Sequence, residues 1–112
     1  MIINSILSEG VLIISFQGSF IDDYSSKEKE ILEKIGNEKK VVFDCSEMEY
    51  LNSFALRAFL KVAKKVTKED GQFAFCNIKP NVKEVFQMTG FLTLFQIFSS
   101  IPEAIESFEG EK

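Results

Sequence analysis

Two short runs constrain this chain most: Val41-Val42-Phe43-Asp44-Cys45 and Phe73-Ala74-Phe75-Cys76. Each is too short for a helix and too continuously apolar for a strand with one wet face. Runs of this kind belong to strands buried on both faces, as in a parallel sheet. Between them lies a stretch of helical period. From Ser53 onward, Leu56, Phe59, Leu60, Ala63 and Val66 recur at three- and four-residue steps. Lys61, Lys64, Lys65 and Lys68 fall on its outer side, late in the helix, where its negative end attracts cations. A strand, a helix and a second strand in this order predict a right-handed crossover.

The rest of the chain extends the pattern. Ile2–Leu7 and Val11–Phe16 flank the turn signal Ser8-Glu9-Gly10 and predict an antiparallel edge hairpin. Gly18 is expected to close the second strand, with a polar loop from Ser19 to Tyr24. Ser25, with Glu28 three residues on, reads as a capping box for a helix through Ile31, Leu32 and Ile35, ended by Gly36. The stretch from Ser46 to Asn52 reads as a loop. Pro80 suits the first turn of a helix that carries Val82, Val85 and Phe86 and stops at Gly90. Phe95 to Phe98 reads as a last strand. Ser100 and Glu103 form a second capping box, opening a helix through Ala104, Ile105 and Phe108. The expected architecture is α/β: one domain over residues 1–112, with 109–112 a frayed tail, and a mixed, mainly parallel sheet of four or five strands packed with helices.

Composition excludes several classes. A chain of 112 residues fits one domain and can bury roughly two-thirds of its unfolded surface. Twelve Phe and no Trp make Phe the core filler, with Phe43, Phe59, Phe75 and Phe86 expected inside. A net charge of −4 disfavours direct binding to nucleic acid, whose phosphates need clustered cations. Without His, a Ser-His-Asp or Cys-His arrangement is impossible, and the commonest metal ligand is missing. Cys45 and Cys76 lack the paired spacing of a zinc site and read as buried, reduced thiols. No enzyme, cofactor or metal is expected. Neither a signal peptide nor a membrane-spanning run is recognisable, so the expectation is a cytoplasmic chain without membrane insertion.

The polar step Asn52-Ser53 stands where the long helix begins. Three junctions, around Gly18–Tyr24, Ser46–Asn52 and Asn77–Pro80, should meet beyond the carboxyl ends of the strands, where sheets of this type carry their function. Asn is among the best helix caps, which accounts for Asn52 and leaves Ser53 an ordinary first residue. Alternatively, Ser53 accepts a phosphate at a helix N-terminus that already favours anions.

Three segments carry a family resemblance: "VVFDCSEMEYLNSFALRAFL", "GQFAFCNIKPNVKEVFQMTGF" and "LFQIFSSIPEAI". Asp44-Cys45-Ser46 answers an Asp-Leu-Ser triplet. Tyr50-Leu51-Asn52-Ser53-Phe54-Ala55-Leu56 answers a Phe/Tyr-hydrophobic-Asp-Ser-Ser/Ala-Gly-Leu step into a helix. Lys79-Pro80-Asn81-Val82 through Thr89-Gly90-Phe91 answers a third pattern. In this order and spacing, the chain resembles the STAS domain and, within it, the bacterial anti-sigma-factor antagonists. The resemblance implies a non-enzymatic transcription regulator that binds an anti-sigma factor with serine-kinase activity, frees a sigma factor, and is released when Ser53 is phosphorylated. It makes Asp22, Asp23, Tyr24, Asn52, Ser53, Phe54 and Arg57 the candidate partner surface. The sequence departs from the pattern at Asn52, which replaces the motif Asp, and at Phe54 and Ala55, which replace a small residue and Gly. Phe54 is either a partner contact or a core residue. The same domain could also serve as an unphosphorylated scaffold or an accessory subunit of a larger assembly, such as a transporter.

Overall fold

Residues 40–44 and 72–76 pair in parallel at the centre of the sheet, with Val42 opposite Ala74 and Phe43 opposite Phe75. In this computed structural model, which describes residues 1–90 and 95–109, the strands are β1 (Ile2–Ser8), β2 (Val11–Phe20), β3 (Lys40–Asp44), β4 (Met48–Leu51), β5 (Gln72–Cys76) and β6 (Ile97–Phe98). The helices are α1 (Tyr24–Ile35), α2 (Ser53–Lys68), α3 (Pro80–Thr89) and α4 (Ile101–Glu109). The main sheet runs β1-β2-β3-β5-β6, and β4 pairs with β2 off this path. β1 is antiparallel to β2; the other pairs are parallel. The result is a single α/β domain with a mixed sheet, as expected.

The pleat divides the apolar residues between two faces. Leu12, Ile14, Phe16, Val41, Phe43, Phe73 and Phe75 meet Ile31 and Ile35 of α1, Leu56, Phe59 and Ala63 of α2, and Val82 and Phe86 of α3. The other face is thinner. Val11, Ile13, Val42, Ala74 and Cys76 are covered by Ala104 and Phe108 of α4. Phe59 is the hub of the larger core, with ring centroids 4.8 Å from Phe16, 5.0 Å from Phe43 and 5.4 Å from Phe20. Edge-to-face pairs such as Phe43–Phe75 and Phe75–Phe86, at 88° and 85°, complete the cluster.

Local rules explain most elements, and their failures are instructive. The Ser half of the Ser100–Glu103 box is present, with the Glu103 N–H donating to Ser100 Oγ at 3.3 Å and the Ser100 hydroxyl 3.4 Å from the Glu103 carboxylate. The Ser25–Glu28 box does not form. α1 starts a residue earlier, at Tyr24, after Asp23 in a left-handed conformation (φ 51°) without a side-chain cap bond. The Tyr24 ring lies 5.7 Å from Phe20, and its hydroxyl donates to Ile21 O at 2.8 Å, contacts that local spacing does not reveal. Nor does Gly18 close β2. It takes φ 96°, the ladder shifts register between Gly18 and Ser19, and the strand continues to a buried Phe20. This bulge lets β2 pair with β3 first and then with β4. β4 itself arises within the expected Ser46–Asn52 loop. Its four residues bury only Met48 and Leu51, so it has no period-two signature. The last strand is shorter than Phe95–Phe98. Phe95 instead packs 6.1 Å from Phe73 and 6.0 Å from Phe75. Glu109 closes α4, and the rest of the expected frayed tail lies outside the described residues.

Both cysteines are free and fully buried. Burial, then the neighbouring Cys76 and Asp44, pushes the Cys45 thiol far above its ordinary range. Burial and the Asp44 carboxylate push Cys76 up from 9.0 to about 12.

Phe59→Ala should cost about 3–5 kcal/mol in urea denaturation, because its cavity opens among rings held by three elements. In addition, the folded pKa of the thiols lies above their unfolded value of 9.0. Their contribution is therefore intact below pH 9 and is lost progressively as pH rises toward 12, because only the unfolded chain ionises there. The melting temperature should fall over that window, and less steeply in a Cys45→Ala/Cys76→Ala variant. Native wild type should leave both thiols unlabelled near neutral pH.

Candidate functional site

The Asn52-Ser53 step is set by hydrogen bonds converging on Asn52. Its backbone is extended (φ −97°, ψ 178°), so the chain turns into α2 at the next residue. Asn52 Oδ1 accepts the Ala55 N–H at 2.9 Å, satisfying one of the donors that a helix start leaves orphaned. Its Nδ2 donates to the Tyr24 hydroxyl at 2.7 Å, and that hydroxyl donates onward to Ile21 O. The Asn52 N–H reaches Phe20 O at 3.4 Å, tying the end of β2 to the start of α2. The expected cap is therefore present, with a second function that spacing did not disclose: the side-chain amide also pins the β2–α1 junction.

Asn suits this network better than Asp would. The Tyr24 hydroxyl has one proton, and Ile21 O takes it. It can then only accept at its other contact, which the Asn52 NH₂ group supplies and a carboxylate could not. The departure from the family motif is thus matched by its neighbours.

Ser53 is the first residue of α2 and is exposed. The first turn holds no acidic side chain. The Ser53 and Phe54 N–H groups have no intrahelical acceptor at that position, and the helix dipole is positive there. Phe54 points outward, 60% exposed, so it is not a core residue. Its ring lies 5.9 Å from Tyr24 and 6.0 Å from the Arg57 guanidinium carbon. Tyr24, Phe54, Arg57 and Lys61 line a shallow cleft of about 220 Å³ between α1 and α2. The structure thus gathers Tyr24, Asn52, Ser53, Phe54 and Arg57 in one place. Asp22 and Asp23 are exposed in the turn before α1, next to Tyr24.

Two residues outside the expected set share this end of the sheet. Ile21 follows the last β2–β4 pair, Phe20–Leu51, and is 52% exposed; Tyr50 on β4 is 42% exposed. Bulky side chains in stretches that read as loops, where they gain nothing by folding, were the available signal. A third junction is tied in by Asn81 of α3, whose Nδ2 donates to Glu49 O at 2.6 Å. Among the described residues, no cluster of three or more His, Cys, Asp or Glu side chains is gathered as a metal site, and no helix is long and apolar enough to cross a membrane.

Known proteins share this fold. A candidate anti-sigma factor antagonist of Bordetella bronchiseptica, BtrV, is 33% identical over 103 residues, covering 90% of this chain and 89% of its own. Among solved structures, a candidate anti-sigma factor antagonist from Thermotoga maritima superposes with a TM-score of 0.87 at 19% identity, over 94% of this chain and 92% of that one. Unphosphorylated SpoIIAA, an anti-sigma factor antagonist, gives 0.79 at 18% identity over 99% of both chains. The murine anion transporter Slc26a9 gives 0.79 at 17% identity, over 91% of this chain but 18% of its own. These structural likenesses establish the fold. The family model described as the STAS domain matches residues 3–104, and the chain belongs to the STAS domain family.

Proposed function

We propose that this protein is an anti-sigma-factor antagonist working in the cytoplasm as a phosphorylation-switched binding module. Its partner is an anti-sigma factor with serine-kinase activity, and the unmodified antagonist occupies that partner and frees a sigma factor for transcription. The observation that carries this reading is the exposed Ser53 hydroxyl at the start of α2, flanked by the outward-facing Phe54. Phe54, Tyr24, Ile21 and Tyr50 supply apolar contact area of the kind enriched at interfaces. Arg57, Asp22 and Asp23 supply a polar rim, and Asn52 holds the acceptor in position.

The proposed switch is electrostatic. Phosphorylation of Ser53 adds up to about two negative charges at pH 7. The helix N-terminus favours the charge, and Arg57, one turn on, lies at the spacing that allows a pair. The antagonist therefore stays folded. The interface, fitted to a neutral hydroxyl, meets charge and bulk and loses affinity. Asn52 in place of a carboxylate removes one like charge beside the phosphate.

The test incubates this protein with candidate anti-sigma serine kinases from its own genome. Incubation with ATP should add one phosphate to wild type by intact mass and none to Ser53→Ala. Ser53→Ala should bind the kinase as wild type does and resist release by ATP. Ser53→Asp should melt at or above the wild-type temperature yet bind at least roughly tenfold more weakly. Equal affinity for all three forms, with no mass change, would leave Ser53 a first-turn residue and favour an unphosphorylated scaffold or a transporter accessory subunit. Separately, Asn52→Ala should lower stability by about 0.5–2 kcal/mol, since the cap and the Tyr24 bond are lost together.

A further inference from the structure

β1 ends the sheet, and among the described residues its strand neighbour is β2 alone. Its outer edge therefore presents unpaired backbone donors and acceptors along seven residues. Edge strands of this length are ordinarily blunted by a charge, a proline or a bulge. β1 has none of these. Its sequence, IINSILS, is uncharged and proline-free, and its register runs unbroken from Ile2–Gln17 to Ser8–Val11. Ile2, Ile6 and Leu7 are 59%, 63% and 56% exposed. The opposite edge strand, β6, has two residues and offers no comparable template.

We propose that β1 pairs antiparallel with β1 of a second copy, across a two-fold axis at Asn4. The segment's own pattern selects this occupant. About Asn4, the antiparallel register sets Met1 opposite Leu7, Ile2 opposite Ile6, and Ile3 opposite Ser5. Four isoleucines then form two direct cross-strand pairs on one face, and Met–Leu pairs form on the other. Neighbouring registers pair Ile6 with Asn4 or Ile2 with Asn4 instead. Charge agrees with this choice. Each copy carries −4 overall, but the strands meet along an uncharged edge. Such an interface is isologous and closes at two copies, leaving no free long edge. It contains none of the residues placed around Ser53, so it stands independently of the proposed switch.

Sedimentation measured from low micromolar to near-millimolar concentration tests this directly. Wild type should shift from monomer to dimer. Ile6→Lys, which sets a charge opposite Ile2 on an exposed site, should remain monomeric at every concentration with an unchanged melting temperature. Register is tested by oxidation, with Cys45 and Cys76 buried out of reach. Asn4→Cys should cross-link to itself, because residues facing each other across antiparallel strands lie about 4.5–5.5 Å apart. Ile6→Cys should not, since four positions of offset separate the two copies of residue 6 by about 13 Å. A monomer throughout, or a dimer indifferent to Ile6→Lys, would overturn the proposal. Cross-linking through Ile6→Cys but not Asn4→Cys would overturn the two-fold at Asn4. A monomer whose Ile6→Lys variant loses binding to an anti-sigma factor would assign this edge to a different protein and overturn the second copy as occupant.

Discussion

A central strand with no wet face dictates the arrangement of this molecule. Val41, Val42 and Phe43 are inaccessible to solvent, so both sides of β3 must be covered. Parallel neighbours impose the same demand, because each return to the sheet needs a crossover that brings a helix with it. Once β2, β3 and β5 run in one direction, the chain segments leaving their carboxyl ends must gather at one end of the sheet. Ile21, Asn52 and Asn77 reach the same end for this reason, whatever their chemistry. The site is a product of topology before it is a product of recognition.

What was legible in the sequence follows from how local each signal is. The burial of Phe43, Phe59, Phe75 and Phe86 is written in runs and periods that a few residues suffice to show. The cap at Asn52 and the proline at the start of α3 are equally local. The bulge at Gly18 is different. It exists because β2 must serve two partners in succession, and nothing within a few residues of Gly18 records the second. β4 is hidden for the same reason: Met48 and Leu51 are buried by what lies across from them. At the site, Ser53 was visible from its place at a strand–helix step. The bond between Asn52 and Tyr24 joins residues 28 positions apart, and periodicity carries no trace of it.

That bond also changes the meaning of the motif departure. Viewed alone, Asn for Asp is a lost carboxylate. Viewed with its neighbours, it is one member of a chain of donors and acceptors, from Ala55 through Asn52 and Tyr24 to Ile21, in which each described contact joins one donor to one acceptor. Networks of this kind resist single substitutions because a change at one member strands the next. Tyr24 and Asn52 are therefore best regarded as one unit, and a Tyr24→Phe change would ask as much of Asn52 as a change at Asn52 itself.

The two faces of the sheet are unequally covered. Three helices lie over one, while the other relies on a nine-residue helix that buries Ala104 and Phe108. A helix of that length has little stability of its own. Opening α4 alone, with the three-helix side intact, is thus a far smaller event than global unfolding. It would briefly admit water to Val42, Ala74 and Cys76. Amide exchange in α4 should accordingly belong to a low-energy class separate from that of β3, whose residues Val41, Val42 and Phe43 are covered on both sides.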